Sequence, residues 1–232
     1  MAQAVDLELP AGARYALIGP NGAGKTTLIN LVTGMLAPDG GRVFLDGEDI
    51  TALPPEARVK RGLARTFQIN TLFAQLTALE SVALAVLERD AHAHNWWRGL
   101  PRFAAVLDEA ASILHSLNLH QKGQRITREL AYGEQRLLEI ALALATRPRV
   151  LLLDEPAAGV PREETAALFA AIAGLSRELT VLFIEHDMEV VFRFASRILV
   201  MVGGRILVQG TPEEIARDPT VREVYLGRAR HA

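Results

Sequence analysis

Eight residues constrain the fold of this chain more than any others: GPNGAGKT, Gly19–Thr26. They fit the pattern G-x-x-x-x-G-K-[ST] with no mismatch. An apolar run, Tyr15–Gly19, precedes them, and a helix-patterned run, Lys25–Met35, follows. Glycine has no Cβ, so the backbone can curl inward and aim successive N–H groups at an anion. Asn21, Gly22, Ala23 and Gly24 would supply that curl. A helix opening at Lys25, Thr26 and Thr27 would add the positive end of its dipole. Lysine at this position reaches β- and γ-phosphate oxygens, and the Thr26 hydroxyl can ligate Mg²⁺. The plainer alternative is a glycine-rich turn before a structural helix. The full spacing and the strand–loop–helix setting both favour the phosphate site.

The rest of the chain carries the strands such a site needs. Strand-like runs recur at Tyr15–Gly19, Arg42–Gly47, Val150–Asp154, Thr180–Asp187 and Arg197–Gly204. Several are short, continuous and apolar, as buried parallel strands covered on both faces are. Helical patterns such as Glu163–Arg177 lie between them, which predicts an α/β sheet. The stretch Thr77–Thr146 breaks this rhythm, with helical patterns at Leu79–Glu88, Phe103–Leu117 and Gly133–Ala145. It reads as a helical subdomain, residues 77–146, inserted into an α/β core of residues 1–76 and 147–232, with Gln68 and Pro148 near the hinges. Arg197–Gly210 reads as a hairpin turning at Gly203–Gly204.

Composition excludes several classes. With a net charge of −2 and a pI near 6.3, nothing suggests a nucleic-acid or anionic-membrane surface. Lys60, Arg61 and Arg65 are too few, and too mixed with acids, to argue for nucleic acid. The chain has no cysteine, hence no disulfide framework and no thiolate zinc site. No stretch approaches the ~18 apolar residues that cross a bilayer, and Met1–Pro10 does not read as a secretory signal. A soluble, cytoplasmic protein is expected. His92 and His94 lack the further ligands a metal would need, and Trp96–Trp97 suit packing or a partner contact.

Two acids end the apolar run VLLLDEP. Buried charges there require partners. Asp154 can support Mg²⁺. Glu155, one residue on, points to the other side of the strand end and can polarise a water. An N-cap pair before the next helix is the alternative reading, and the phosphate loop upstream weighs against it. His186, after VLFIE, stands at another strand end and could hold that water by a hydrogen bond. Gln68, in RTFQ, could bridge the Mg²⁺ site to the helical insert. A second anion site is legible in LAYGEQRLLEI, Leu130–Ile140, where Gly133 and Glu134 open an amphipathic helix whose N-terminus offers free N–H groups.

Taken in order, these residues resemble the ATP-binding-cassette family of ATPases. Gly19–Thr26 is similar to its Walker A, Gln68 to its Q-loop and LAYGEQ to its signature motif. VLLLDE is similar to its Walker B with the catalytic glutamate, and His186 to its switch histidine. The resemblance implies a P-loop NTPase (RecA-like) α/β core with the helical insert, and ATP and Mg²⁺ as cofactors, with Thr26, Gln68 and Asp154 on the metal. It implies that two cassettes, identical or not, pack head to tail, so that Gly133 and Glu134 meet the partner's γ-phosphate. A narrower likeness, in LAYGEQRLLEIALALATRP, DEPAAG, IEHDM and GTPEEIARDPTVREVYLG, is to ATPase subunits of bacterial branched-chain amino acid importers. Such a subunit would work on the cytoplasmic face of the inner membrane. Its partners would be integral membrane permease subunits, docked near Asn70–Glu80, and indirectly a solute-binding protein. The rival readings are a non-transport cassette ATPase and a weakly hydrolysing regulatory or assembly partner.

Three departures from the family pattern stand out. Ala131 replaces the usual signature serine and removes its hydroxyl. AAGVPREE, Ala157–Glu164, reads one residue short, with Pro161 near the usual Asp or Asn. AVDLELPAGARYALIGP corresponds to the segment after the family's adenine-stacking aromatic, and Tyr15 is no evident substitute.

Overall fold

The computed structural model describes residues 2–66, 72–90 and 100–226. Among them the strands are β1 (Arg14–Ile18), β2 (Phe44–Leu45), β3 (Glu48–Asp49), β4 (Leu63–Arg65), β5 (Val150–Asp154), β6 (Thr180–Ile184), β7 (Arg197–Val202) and β8 (Arg205–Gly210). The helices are α1 (Lys25–Thr33), α2 (Pro55–Lys60), α3 (Ala78–Arg89), α4 (Leu100–Ser116), α5 (Tyr132–Ala145), α6 (Arg162–Ala173), α7 (Met188–Phe194), α8 (Pro212–Arg217) and α9 (Pro219–Leu226). The chain forms two compact units. One is Met1–Arg65, Arg149–Pro156 and Arg177–Ala232, and the other is Thr66–Pro148 and Ala157–Ser176.

The first unit is built on a six-stranded sheet in the order β4-β5-β6-β1-β7-β8. All neighbours are parallel except β8, which runs antiparallel to β7. Position in the sheet explains the sequence patterns. Every residue of β6 is buried, and Leu17, Ile18, Val181, Leu182, Ile198 and Leu199 are within 1% of full burial. Apolar side chains such as these contribute roughly 1.5–3 kcal/mol each when fully buried. The edge strand β8 instead alternates exposed and half-buried residues, as one solvated face requires. The β7–β8 turn falls at Gly203–Gly204, and the Gly204 N–H donates to Ala23 O at 2.8 Å, bracing the loop after β1.

Parallel order has a functional consequence. It sets the C-terminal ends of β4, β5, β6 and β1 side by side, and ligands in open α/β sheets bind outside those ends. At the far end of α1, the fully buried Arg58 donates to Leu31 O, Val32 O, Thr51 O and Leu53 O. The bonds to Leu31 O and Val32 O satisfy carbonyls that the end of α1 leaves open.

The strand-like run Arg42–Gly47 does hold a strand, but one outside the main parallel sheet. Phe44–Leu45 pairs with Glu48–Asp49 in a separate two-stranded antiparallel sheet, turning through Asp46 and Gly47, both at positive φ. Asp-Gly is a strong two-residue hairpin signal, and it outweighs the apolar run before it. The run Thr180–Asp187 also ends early as a strand, because Asp187 caps α7 by accepting from Glu189 N at 2.9 Å.

The second unit comprises α3 to α6. Thr77 opens α3 with a reciprocal capping box: its Oγ1 accepts from Glu80 N at 3.1 Å, and Glu80 Oε2 accepts from Thr77 N at 2.8 Å. Val82, Val86, Ala110, Leu114, Leu138 and Ala141 form its buried interior, with Leu168 and Phe169 from α6 also buried. Polar links close the helix ends. Arg89 donates to Glu109 at 2.6 Å and to Ala145 O at 2.8 Å, and Arg147 pairs with Glu109 at 2.9 Å.

Candidate functional site

The loop after β1 has the shape its sequence requires. A Cβ on Gly19 would lie 2.1 Å from Met201 O, so no other residue fits there. Gly24 is the N-cap of α1 with φ 103° and ψ 8°, and among the described residues no side chain caps the first turn. The opening N–H groups of a helix need partners from outside it, and a bound anion is one way to supply them. Lys25 is 7% exposed, and its Nζ donates to Gly19 O at 2.7 Å and Pro20 O at 3.3 Å. Burial pushes the ammonium below its ordinary pKa, with the charges of Glu155 and Asp154 acting the other way. A buried ammonium beside the first turn of α1 is what a polyphosphate tail would meet.

Two strands away, Asp154 ends β5 with a carboxylate that is 6% exposed. Arg65, the last residue of β4, donates from Nη2 to Asp154 Oδ2 at 2.6 Å and from Nη1 to Asn30 Oδ1 on α1 at 2.6 Å. The ion pair answers the cost of burying the acid. An Asp carboxylate accepts at about four lone-pair sites, so this bond leaves acceptor capacity for a cation. Mg²⁺ favours hard oxygen donors, usually one or two from the protein together with substrate phosphates. The Asp154 carboxylate and the Thr26 hydroxyl are donors of that kind.

Glu155 follows with φ +50°, and its N–H donates to Ile184 O at 3.1 Å. Left-handed backbone is uncommon for a non-glycine residue and costs roughly 1–2 kcal/mol. This turn separates Glu155 from Asp154. The Glu155 carboxylate Oε1 lies 2.7 Å from His186 Nε2. His186 follows β6, and its backbone N–H donates to the buried Glu185 at 3.2 Å. The structure thus brings Glu155 and His186 into direct contact, a carboxylate and an imidazole at adjacent strand ends. Gln68 lies outside the described residues, as do His92, His94, Trp96 and Trp97.

In the second unit, α5 starts after Ala131, which has no side chain to cap it. Glu134 fills half of a capping box: Oε2 accepts from Ala131 N at 3.0 Å, while Oε1 pairs with Lys122 at 2.8 Å. Desolvation opposes ionisation of Glu134, but Lys122 and the Ala131 N–H together hold its pKa below the usual range. The Gly133 N–H donates to Glu164 Oε2 at 3.0 Å, and a Cβ on Gly133 would meet that same oxygen at 2.5 Å. Pro161 is the N-cap of α6. Arg136, 6% exposed, joins Tyr132 Oη, Glu139 and Ala158 O.

Sequence reasoning missed Arg65, Asn30 and Glu164. The buried acid signals that Asp154 needs a cation, but not that Arg65, 89 residues away, supplies it. The Glu164–Gly133 contact has no signal in spacing.

The ABC transporter family model matches residues 2–158, and a second model, for the branched-chain amino acid ATP-binding cassette transporter, matches residues 205–231. The high-affinity branched-chain amino acid transport ATP-binding protein BraF of Pseudomonas aeruginosa is 44% identical over 237 residues, covering 97% of this chain and 91% of that protein. The ADP conformation of MJ1267, an ATP-binding cassette of an ABC transporter, superimposes with a TM-score of 0.81 at 31% identity, covering 97% of this chain and 93% of that one. The dimeric structure of MJ0796, a bacterial ABC transporter cassette, gives 0.74 at 25% identity over 91% and 90% of the two chains. With one family model spanning more than half of the chain and a relative at 44% identity along nearly all of it, the chain belongs to the ABC transporter family, as one of its ATP-hydrolysing cassettes.

Proposed function

We propose that this chain is the ATP-hydrolysing motor subunit of a membrane importer for branched-chain amino acids. The observation that carries the hydrolytic part is the row of strand ends in the first unit. There the buried Lys25, the buried Asp154 and the Glu155–His186 pair all follow neighbouring parallel strands. In this reading Asn21–Thr27 cradle the phosphates, and Lys25 exchanges its two loop carbonyls for phosphate oxygens. Asp154 and Thr26, with Gln68, would hold Mg²⁺, whose charge offsets that of the phosphates. Glu155 takes the proton of the attacking water. His186 fixes the Glu155 carboxylate through the 2.7 Å contact.

The cargo rests on the match of residues 205–231 to the branched-chain cassette model and on the named function of BraF. Among the described residues no helix is long and apolar enough to cross a membrane, so conduction would belong to separate permease subunits. Two cassettes would pair head to tail, as the dimeric relative suggests. The N-terminus of α5, at Gly133, would then face the partner's γ-phosphate. The working place is the cytoplasmic face of the inner membrane, with a solute-binding protein on the other side.

The test is co-expression with the candidate permease subunits, purification of the complex and reconstitution in liposomes. Leucine, isoleucine or valine on a cognate binding protein should raise ATP turnover and drive uptake. Turnover that is indifferent to all three amino acids overturns the cargo assignment. Failure to co-purify with any permease overturns the transport reading.

A further inference from the structure

We propose that Arg65 is a positioning residue for the divalent metal of the nucleotide site, acting through Asp154. The inference rests on the metal role given to Asp154 above. Its observations are independent of that role. Arg65 is the last residue of β4, and its guanidinium forks between two elements that a nucleotide must engage together. One prong, Nη1, takes Asn30 Oδ1 at 2.6 Å on α1, the helix that starts the phosphate loop. The other, Nη2, takes Asp154 Oδ2 at 2.6 Å at the end of β5. The Arg65 and Asp154 side chains are 11% and 5% exposed, so water screens the pair little.

The geometry decides between two roles. A cation that merely fills the metal's place would need only charge, and lysine would serve. A guanidinium with two bonds at 2.6 Å to groups on different elements does more. It fixes which oxygen of Asp154 is taken, and it ties that oxygen to the phosphate-loop helix. Planar, forked donors do this where an ammonium cannot. A metal ligand held in one orientation by a charged partner is the usual means of tuning an oxygen site. Loss of such a partner typically costs about 10–100-fold in metal affinity.

The test measures binding, not turnover. ATP affinity is titrated at saturating Mg²⁺ and again in EDTA, and the ratio is the metal enhancement. Arg65→Ala should lower that enhancement about 10–100-fold while metal-free affinity stays within about twofold. Arg65→Lys should restore little, because it keeps the charge and loses the fork. Asn30→Ala should give a smaller loss in the same direction. In an Asp154→Asn background, Arg65→Ala should add nothing further. Circular dichroism and melting establish that each variant folds, and Asn30→Ala carries the test if Arg65→Ala does not. An unchanged or increased enhancement overturns the proposal. So does an equal loss with and without Mg²⁺, or a full Arg65→Ala effect in the Asp154→Asn protein. If Asp154→Asn itself keeps full enhancement, the metal role of Asp154 fails, and the Arg65 proposal fails with it. A loss in Asp154→Asn with none in Arg65→Ala or Asn30→Ala sinks the Arg65 proposal alone.

Discussion

Replacing Glu155 by glutamine separates chemistry from structure at this site. Glutamine has nearly the same volume, and its amide oxygen can still meet His186 Nε2, now 2.7 Å from Glu155 Oε1. The positive-φ backbone and the Glu155 N–H bond to Ile184 O do not depend on the side chain. What the variant loses is basicity. Removal of a positioned general base costs about 10²–10⁴ in rate, equal to roughly 2.7–5.4 kcal/mol of barrier at 1.36 kcal/mol per tenfold. The structural cost is smaller. The Glu155 and His186 side chains are 27% and 47% exposed, so their pairing contributes at most about 1 kcal/mol. In a chain of this size that shifts Tm by no more than about 2–4 °C. Phosphate release under saturating Mg-ATP, nucleotide titration and a melting curve together make the assay. The expected result is a collapse of turnover, ATP affinity within a few-fold of wild type and a nearly unchanged Tm. A folded Glu155→Gln protein that keeps more than about a tenth of its turnover would refute the general-base reasoning.

Lys25→Ala should weaken Mg-ATP binding about 10–100-fold, the value of a charge-assisted hydrogen bond of ~1.5–3 kcal/mol; unchanged affinity in a titration would remove the phosphate-loop assignment. Gly133→Ala places a Cβ 2.5 Å from Glu164 Oε2, displacing a carboxylate tip rather than backbone. Its Tm should stay within about 4 °C of wild type. Nucleotide affinity of the isolated chain should hold while ATP-dependent dimerisation on a sizing column falls. Glu109 is held below the usual carboxylate pKa chiefly by its hydrogen bond from Arg89, with Arg147 adding to it. A depressed folded-state value contributes stability above the unfolded value near pH 4.3 and loses it as pH falls through the folded value. Glu109→Gln should therefore lower Tm by about 2–4 °C at pH 7, and the gap from wild type should close in acid; a gap independent of pH would refute the linkage.

What the sequence disclosed and what it withheld divide along one physical line. The shape of the loop after β1 was legible because backbone geometry alone dictates it: Gly19 has no room for a Cβ against Met201 O, and Gly24 turns left-handed before α1. The buried strands were legible because parallel strands covered on both faces must be continuously apolar, as β5, β6 and β7 are. The hairpin at Gly203–Gly204 followed from turn chemistry, and the same rule applied to Asp46–Gly47 would have placed the Phe44–Leu45 strand in a hairpin of its own. What stayed hidden depends on two distant segments meeting. Arg65 and Asp154 are 89 residues apart, and Glu164 and Gly133 are 31 apart. No local pattern announces either contact. The Gly133–Glu164 bond changes the meaning of a residue that sequence alone treats as an open anion site. Its N–H already has a carboxylate from its own chain, so a phosphate arriving there must first displace a like-charged group. An aspartate at Gly133 would accordingly confront Glu164 within the same chain as well as any ligand. Glycine-to-alanine is the cleaner probe of that helix end, because it adds bulk without adding charge.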